Sequence, residues 1–340
     1  MSNIYGFRPG RGCRDPLFVL HEIIANRGKK TVFMAFMDIR KAYDTVWSEA
    51  LEYGGEGQNV ECSEALEHRE RESAVLIGDD VSDWFAVEVG LAQDCPLSPI
   101  LFSLYINDLA IQVKEDGGAV SFGGVKYSIL MYADDMVLLS EDSQGLQKSL
   151  DIAFEYSQKW RFQFNLGKDK TEIMIYRGVG CRKKERERIA GLSWLLDGKE
   201  VRIVDRYIYL GVLLTNNGKY VETRRMIEKR ARKGFWTAVN MGVEGGWMNV
   251  DNAVMVWNCQ VRSILEYGAE VLHFPNWKDP ELLARKMGKC ILGVRQSTVN
   301  EVVQGELGWW SMEGRRQLLR LKYWRFAFDR VADYVFHNRA

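Results

Sequence analysis

Two aspartates stand side by side at Asp134 and Asp135, with a short apolar run on either side of them inside Ser128–Ser140. Apolar runs of that length around two turn-tolerant residues read as a β-hairpin buried on both faces, with the carboxylates at its tip. A third acid, Asp38, closes another continuous apolar run, Thr31–Met37. Buried strands side by side in one sheet would bring Asp38 close to Asp134, and carboxylates so placed can hold two Mg²⁺ ions about 3.5–4 Å apart. The chemistry that such a pair serves is phosphoryl transfer: one ion lowers the pKa of a 3′-hydroxyl, and the other neutralises a triphosphate and its departing pyrophosphate. For the hairpin alone a solvated Asp-Asp turn is an equal alternative; the third acid shifts the balance.

The elements that would position these acids follow from periodicity. Residues 1–16 are rich in Gly, Pro and Arg, and Arg8, Arg11 and Arg14 could meet phosphates through their forked guanidinium groups, the alternative being plain solvation. Leu17–Ala25 has helical spacing. Beyond Asp38, Ile39–Asp44 has the composition of a helix start and puts the ring of Tyr43 five residues past the acid, where it either crowds a nucleotide's 2′-carbon or joins the core. The charged run Glu61–Glu72 suits a surface helix, and Trp84–Val89 a short strand. Ser98 followed by Pro99 predicts a helix cap and first turn, with Ile100, Leu101, Leu104, Tyr105 and Leu109 recurring behind it. Ser143–Trp160 is helical in period, Thr171–Tyr176 returns to strand, and Asp197-Gly198 marks a hairpin turn. Tyr207–Leu214 reads as one further strand, and from about Lys219 helices take over. The first of these carries Arg224, Arg225, Lys229, Arg230, Arg232 and Lys233, a strip that could track a nucleic-acid backbone or simply face solvent.

Composition narrows the class. At 340 residues, 46% of them hydrophobic, the chain can bury a large core in one domain or two. Its 46 basic and 46 acidic residues cancel, so local patches rather than net charge would select a partner. The six cysteines include no Cys-x-x-Cys pair, which speaks against a zinc site or a disulfide framework and for a reducing compartment. No apolar run approaches the ~20 residues of a membrane span. The expectation is a soluble, intracellular protein with no membrane partner.

Together these motifs resemble a reverse transcriptase, more narrowly that of non-LTR (LINE-like) retrotransposons, over nearly the whole chain. Tyr5–Arg11 resembles the family's fingers loop, Met37–Asp44 its motif A, and Cys95–Pro99 motif B. Tyr132-Ala-Asp-Asp135 resembles the catalytic box, Asn165–Lys170 motif D, and Tyr209–Val212 the primer-grip strand. Six such stretches in the right order are far more specific than any one. The resemblance implies an α+β fold: a right-hand polymerase palm, whose ferredoxin-like β-sheet is backed by helices, followed by an α-helical thumb-like region. The expected domains are a fingers remnant at 1–30, the palm at 31–215 and the thumb-like region at 216–340.

The implied activity is RNA-directed DNA polymerisation, with an RNA template, a DNA primer and dNTPs as partners, two Mg²⁺ ions (or Mn²⁺) as cofactors, and the nucleus as the compartment. By position, Asp38, Asp134 and Asp135 would be the catalytic metal ligands. Tyr43 would be the steric gate, with Gln93 near nucleotide and template and Lys170 near the triphosphate. Arg8, Arg11, Arg224, Arg225 and Lys229 would touch nucleic acid. Two departures stand out: the sequence begins inside the fingers with no endonuclease domain before it, and motif B has Ala92-Gln-Asp-Cys95 where the family usually has Arg-Gln-Gly-Cys. Both predict weak polymerisation by the chain as it stands. The competing expectation is a non-catalytic remnant that keeps the fold and binds nucleic acid through the Arg224–Lys233 strip.

Overall fold

The structure is a computed structural model. It describes residues 5–6, 8, 10–28, 30–46, 72–87, 89–92, 95–178, 189, 191–244 and 247–337, with 329–337 by backbone alone. The charged run expected at Glu61–Glu72 therefore lies outside the described residues except at its last position, and Gln93 and Asp94 lie outside them too. The chain forms two compact units, Met1–Gly218 and Lys219–Ala340.

The first unit opens with helix α1 (Arg14–Asn26) and strand β1 (Val32–Met37). Every residue of β1 is buried, which is why its sequence, Val-Phe-Met-Ala-Phe-Met, is unbroken apolar rather than alternating. Four two-residue strands follow: β2 (Glu72–Ser73), β3 (Leu76–Ile77), β4 (Asp80–Val81) and β5 (Phe85–Ala86). Then come helix α2 (Ser98–Asp116), the hairpin β6 (Val120–Phe122) and β7 (Val125–Tyr127), and the hairpin β8 (Ile129–Tyr132) and β9 (Asp135–Ser140). Helix α3 (Ser143–Lys159) and strand β10 (Glu172–Tyr176) complete the frame. The unit ends with β11 (Leu195–Leu196), β12 (Lys199–Glu200), β13 (Ile203–Val204), β14 (Arg206–Tyr209) and β15 (Val212–Thr215).

Five strands make the main sheet in the order β13-β10-β1-β9-β8. β1 lies at its centre, antiparallel to both neighbours, with Met37 opposite Met136 and Phe36 opposite Glu172. Alternation along β1 then sorts its side chains. Phe33, Ala35 and Met37 share one core with Phe102, Ile106 and Leu109 of α2 and Leu150 and Ala153 of α3. Phe36, on the opposite face, stacks on Tyr207 of β14 at 4.1 Å between ring centroids. The two helices are joined by polar ties as well: Tyr156 of α3 donates its hydroxyl to the carbonyl of Tyr105, and Tyr105 donates to that of Trp160. α3 begins on Asp142, whose carboxylate accepts from Gly145 N at 2.6 Å.

Three local expectations change. Ser98 does not cap α2; Leu97 holds the N-cap position, and the Ser98 hydroxyl donates to the Ala92 carbonyl at 2.6 Å, tying down the loop that leads into the helix. The segment after Asp38 makes only a single 3₁₀ turn, Ala42–Thr45, because Ile39 bridges to Phe164 and Lys41 sits in the left-handed region at φ 50°. Tyr207–Leu214 is a hairpin rather than one strand: Leu210 (φ 45°) and Gly211 (φ 76°) both turn left-handed between β14 and β15. A leucine in the first of those positions disguised a turn that Asn or Asp would have announced.

The second unit is helical: α4 (Val221–Ala238), α5 (Val250–Trp257), α6 (Ser263–Glu266), α7 (Asp279–Leu292), α8 (Asn300–Glu306) and α9 (Met312–His337). A π-helical turn, Asn258–Arg262, joins α5 to α6. α4 buries Thr223, Ile227, Ala231, Gly234, Phe235 and Ala238 as one stripe. Gly234 must lack a side chain, since a methyl there would collide with the backbone carbonyl of Gln260. The cancelling charges of the sequence divide unevenly: residues 219–340 hold 20 basic and 13 acidic side chains, and residues 1–218 hold 26 and 33.

Candidate active site

The carboxylates sit at the ends of neighbouring strands. Tyr132 pairs with Asp135, so Ala133 and Asp134 form the two-residue turn of the β8–β9 hairpin, with Ala133 at φ 54°. The antiparallel register that places Met37 opposite Met136 puts Asp38, one residue past β1, beside the start of β9. Asp38 itself is pinned through its backbone. Its N–H donates to the hydroxyl of the buried Thr171 (3.1 Å), and its carbonyl accepts from Asn165 N (2.8 Å). Its carboxylate accepts from Lys170 Nζ at 3.2 Å.

Electrostatics reports the crowding. Asp135 is raised from 3.8 to about 6, first by desolvation, then by the negative charges of Asp134 and Asp38, with Lys170 opposing them. Asp135 still reaches solvent at its outer edge, so the desolvation comes from the protein packed behind its carboxyl. Behind it lie two tyrosines of β14. Tyr207 donates its hydroxyl to the Lys170 carbonyl at 2.7 Å, and its own ionisation is suppressed by burial and by Asp135 and Asp38. Tyr209 is fully buried, and among the described residues its hydroxyl has no hydrogen-bond partner. The ring of Tyr43 stacks on Phe102 of the core (centroids 5.1 Å apart) while its hydroxyl feels the charge of Asp134, so it belongs at once to the core and to the edge of the acid cluster.

Among the described residues, no three His, Cys, Asp or Glu side chains are gathered tightly enough to hold a metal ion as they stand. The donor set is nonetheless suited to a hard divalent cation: three carboxylates, oxygen ligands only, with a single lysine as compensating charge.

The remaining candidates are more dispersed. Arg8 and Arg11 are exposed, with the Arg11 guanidinium 5.6 Å from the ring centre of Tyr5. In the helical unit, Arg225 and Lys229 are exposed on α4, whereas Arg224 is half-buried and donates to Glu228 at 2.9 Å. Sequence reasoning did not single out Thr171, nor did it place the start of the Tyr5–Arg11 loop beside the acids. There the backbone N–H of Tyr5 donates to the Met131 carbonyl at 2.8 Å, and Gly6 lies against Ala133 so closely that a Cβ would strike its backbone nitrogen. The signal was available in Asn165–Thr171, a polar stretch ending at a strand, but nothing local marks Tyr5 and Gly6 as neighbours of the acidic turn.

Residues 1–214 match the family described as "Reverse transcriptase (RNA-dependent DNA polymerase)". The chain is 26% identical over 228 residues to the "Retrovirus-related Pol polyprotein from type-2 retrotransposable element R2DM" of Drosophila melanogaster, a match covering 63% of this chain and 21% of that one. It is 24% identical over 286 residues to the "RNA-directed DNA polymerase from mobile element jockey" of Drosophila funebris, covering 78% and 29%. The chain thus spans between a fifth and a third of the length of these curated relatives. Among solved structures, an apo telomerase from Candida tropicalis aligns with a TM-score of 0.34 at 12% identity, over 60% of this chain and 38% of that one. With its mixed α/β first unit and its acidic strand ends, the chain belongs to the reverse transcriptase family, of the non-LTR retrotransposon kind.

Proposed function

We propose that the chain is the polymerase core of a retrotransposon enzyme that extends a DNA primer by copying an RNA template. Residues 31–215 act as the palm, 216–340 as a thumb-like helical region and 1–30 as the part of the fingers that this sequence includes. The observation that carries the reading is the convergence of Asp38, Asp134 and Asp135 at adjacent strand ends, with Asp135 raised first by desolvation and then by the charges of the other two.

Asp38, Asp134 and Asp135 would hold divalent cations, Mg²⁺ by preference, and when bound these supply the Lewis acidity for attack by the primer 3′-hydroxyl and for neutralising the triphosphate. The protein's own part is positioning. Thr171 and Asn165 fix the Asp38 peptide, so the carboxylate does not swing when charge arrives. Lys170, which compensates Asp38 in the free chain, transfers its charge to the incoming phosphates. The Tyr43 ring, held against Phe102, fills the space that a 2′-hydroxyl would need and so favours deoxynucleotides. Arg225 and Lys229 present charge to the backbone of bound nucleic acid.

The test is single-nucleotide addition to a primer annealed on RNA, with the chain in excess over primer. Slow addition that Asp134→Asn lowers by ~10³-fold or more supports the mechanism. Addition at the same rate in the variant would place the chemistry elsewhere. No addition by either chain, with nucleic-acid binding retained, would favour the non-catalytic remnant.

A further inference from the structure

The helical unit contains a cavity of about 480 Å³, walled by residues 273–282, by Arg285 of α7 and by the first turns of α9 with Arg316 and Arg320. Its floor is rigid. Arg316 is buried, donates to the carbonyls of Leu265 and Leu272, and lies over Trp277 with its guanidinium 4.6 Å from the ring centroid. Trp277 is held in turn by its N–H to Glu228 Oε1 (2.7 Å). Three arginines thus line one hollow, and behind its surface Nε of Arg285 and Nε of Arg320 are buried without a hydrogen-bond partner among the described residues.

The carboxylates in the wall do not answer them. Glu281 accepts from Met312 N at 3.0 Å and Glu313 from Gln317 at 3.0 Å, and among the described residues neither forms an ion pair with Arg285 or Arg320. Arg316 and Arg320 lie one helical turn apart and repel each other, a repulsion that Glu266, Glu313 and Glu270 partly offset at Arg316. A hollow lined by forked, positively charged donors with no ion-paired carboxylate at Arg285 or Arg320 favours a ligand with several acceptor oxygens and negative charge.

We propose that this cavity binds a phosphate of single-stranded nucleic acid, with Arg285 and Arg320 donating to its non-bridging oxygens and Arg316 supplying fixed charge behind them. Phosphate suits the forked donors. Nucleic acid is the favoured source because the unit carries a basic excess, 20 against 13, in a chain of the reverse transcriptase family. Single strands are favoured over duplex because the site is concave: a flexible strand can turn one phosphate inward, whereas the regular backbone of a duplex cannot follow it. A stacked base is not the ligand, since Arg316 already covers a face of Trp277. The site lies wholly within residues 273–320, and its occupancy does not depend on the acids of the first unit.

Fluorescence anisotropy of a short labelled RNA tests this on the full chain without catalysis. Arg285→Gln with Arg320→Gln is expected to weaken single-strand binding about tenfold, to leave duplex binding unchanged, and to lower the slope of log affinity against log salt by ~0.7, the value for one single-strand phosphate. Leu282→Glu, an exposed residue at the rim, keeps both arginines and should act in the same direction, so it decides the matter if the double variant fails to fold. Binding within twofold of wild type, or an equal loss for single strand and duplex, overturns the proposal. A phosphoserine peptide that binds the wild type but not the double variant, while RNA binding is the same in both, would assign the cavity to a phosphoprotein and overturn the nucleic-acid assignment.

Discussion

Replacing Asp135 with Asn should stabilise the metal-free protein at neutral pH, and the gain should vanish in acid. A folded-state value raised from 3.8 to about 6 means that the fold holds a proton there which the unfolded chain releases. This contribution to stability is therefore complete below pH ~4 and is lost as the pH rises through ~6. Taken at face value the shift corresponds to ~3 kcal/mol. Because the carboxyl still meets solvent, screening reduces this to ~1 kcal/mol. Asparagine keeps the shape and removes the charge, so it recovers that amount at pH 7–8 and nothing at pH 4. Urea melts of both chains in EDTA across this range measure it, with added Mg²⁺ as a second axis. The ion should stabilise the wild type more than the variant, because it neutralises the same repulsion. If the Asn chain is no more stable than wild type at pH 8, or if its advantage persists at pH 4, neither desolvation nor the charges of Asp134 and Asp38 raise Asp135.

Gly6→Ala should disturb the acidic turn without unfolding the unit, because its methyl meets the Ala133 nitrogen; a loss of ~1–3 kcal/mol in melts, with slower nucleotide addition, is expected. Gly234→Ala should destabilise the helical unit by a similar amount despite alanine's better helix propensity, and a more stable variant by calorimetry would refute the close approach to Gln260. Tyr43→Ala should let ribonucleotides compete with deoxynucleotides in single addition, and unchanged discrimination would leave the ring as core packing against Phe102 alone.

The parts of this molecule legible in the sequence are those with strong periodic signals. β1 and β9 announce themselves because both faces are buried and no polar residue interrupts them. α2 and α3 show helical spacing because each lays one stripe on the sheet. The acids could be paired in advance because each stands at the end of such a run. What stayed hidden depends on contacts distant in sequence. The Thr171 hydroxyl under the Asp38 amide spans 133 positions, and the polar stretch that ends at Thr171 does not by itself say which acid it supports. The Leu210-Gly211 turn was missed because a leucine occupies a left-handed position. The arginine cavity joins residues from α7 and α9 whose individual helices look like ordinary charged surface.

The central strand has a consequence for how this chain is made. β1 finds its two neighbours at Met136–Ser140 and Glu172–Tyr176, about a hundred residues or more further along, and among the described residues it has no strand partner closer in sequence. During synthesis its six apolar residues leave the ribosome long before either partner exists, so sheet closure waits on a large loop and is intrinsically slow. A hexapeptide of this kind, free of charge and proline, is the sort that pairs with copies of itself while it waits. Lys29 and Lys30 on one side and Asp38 and Arg40 on the other bracket it with charge. Asp38 is thus placed to guard the strand in the nascent chain before the acids come together.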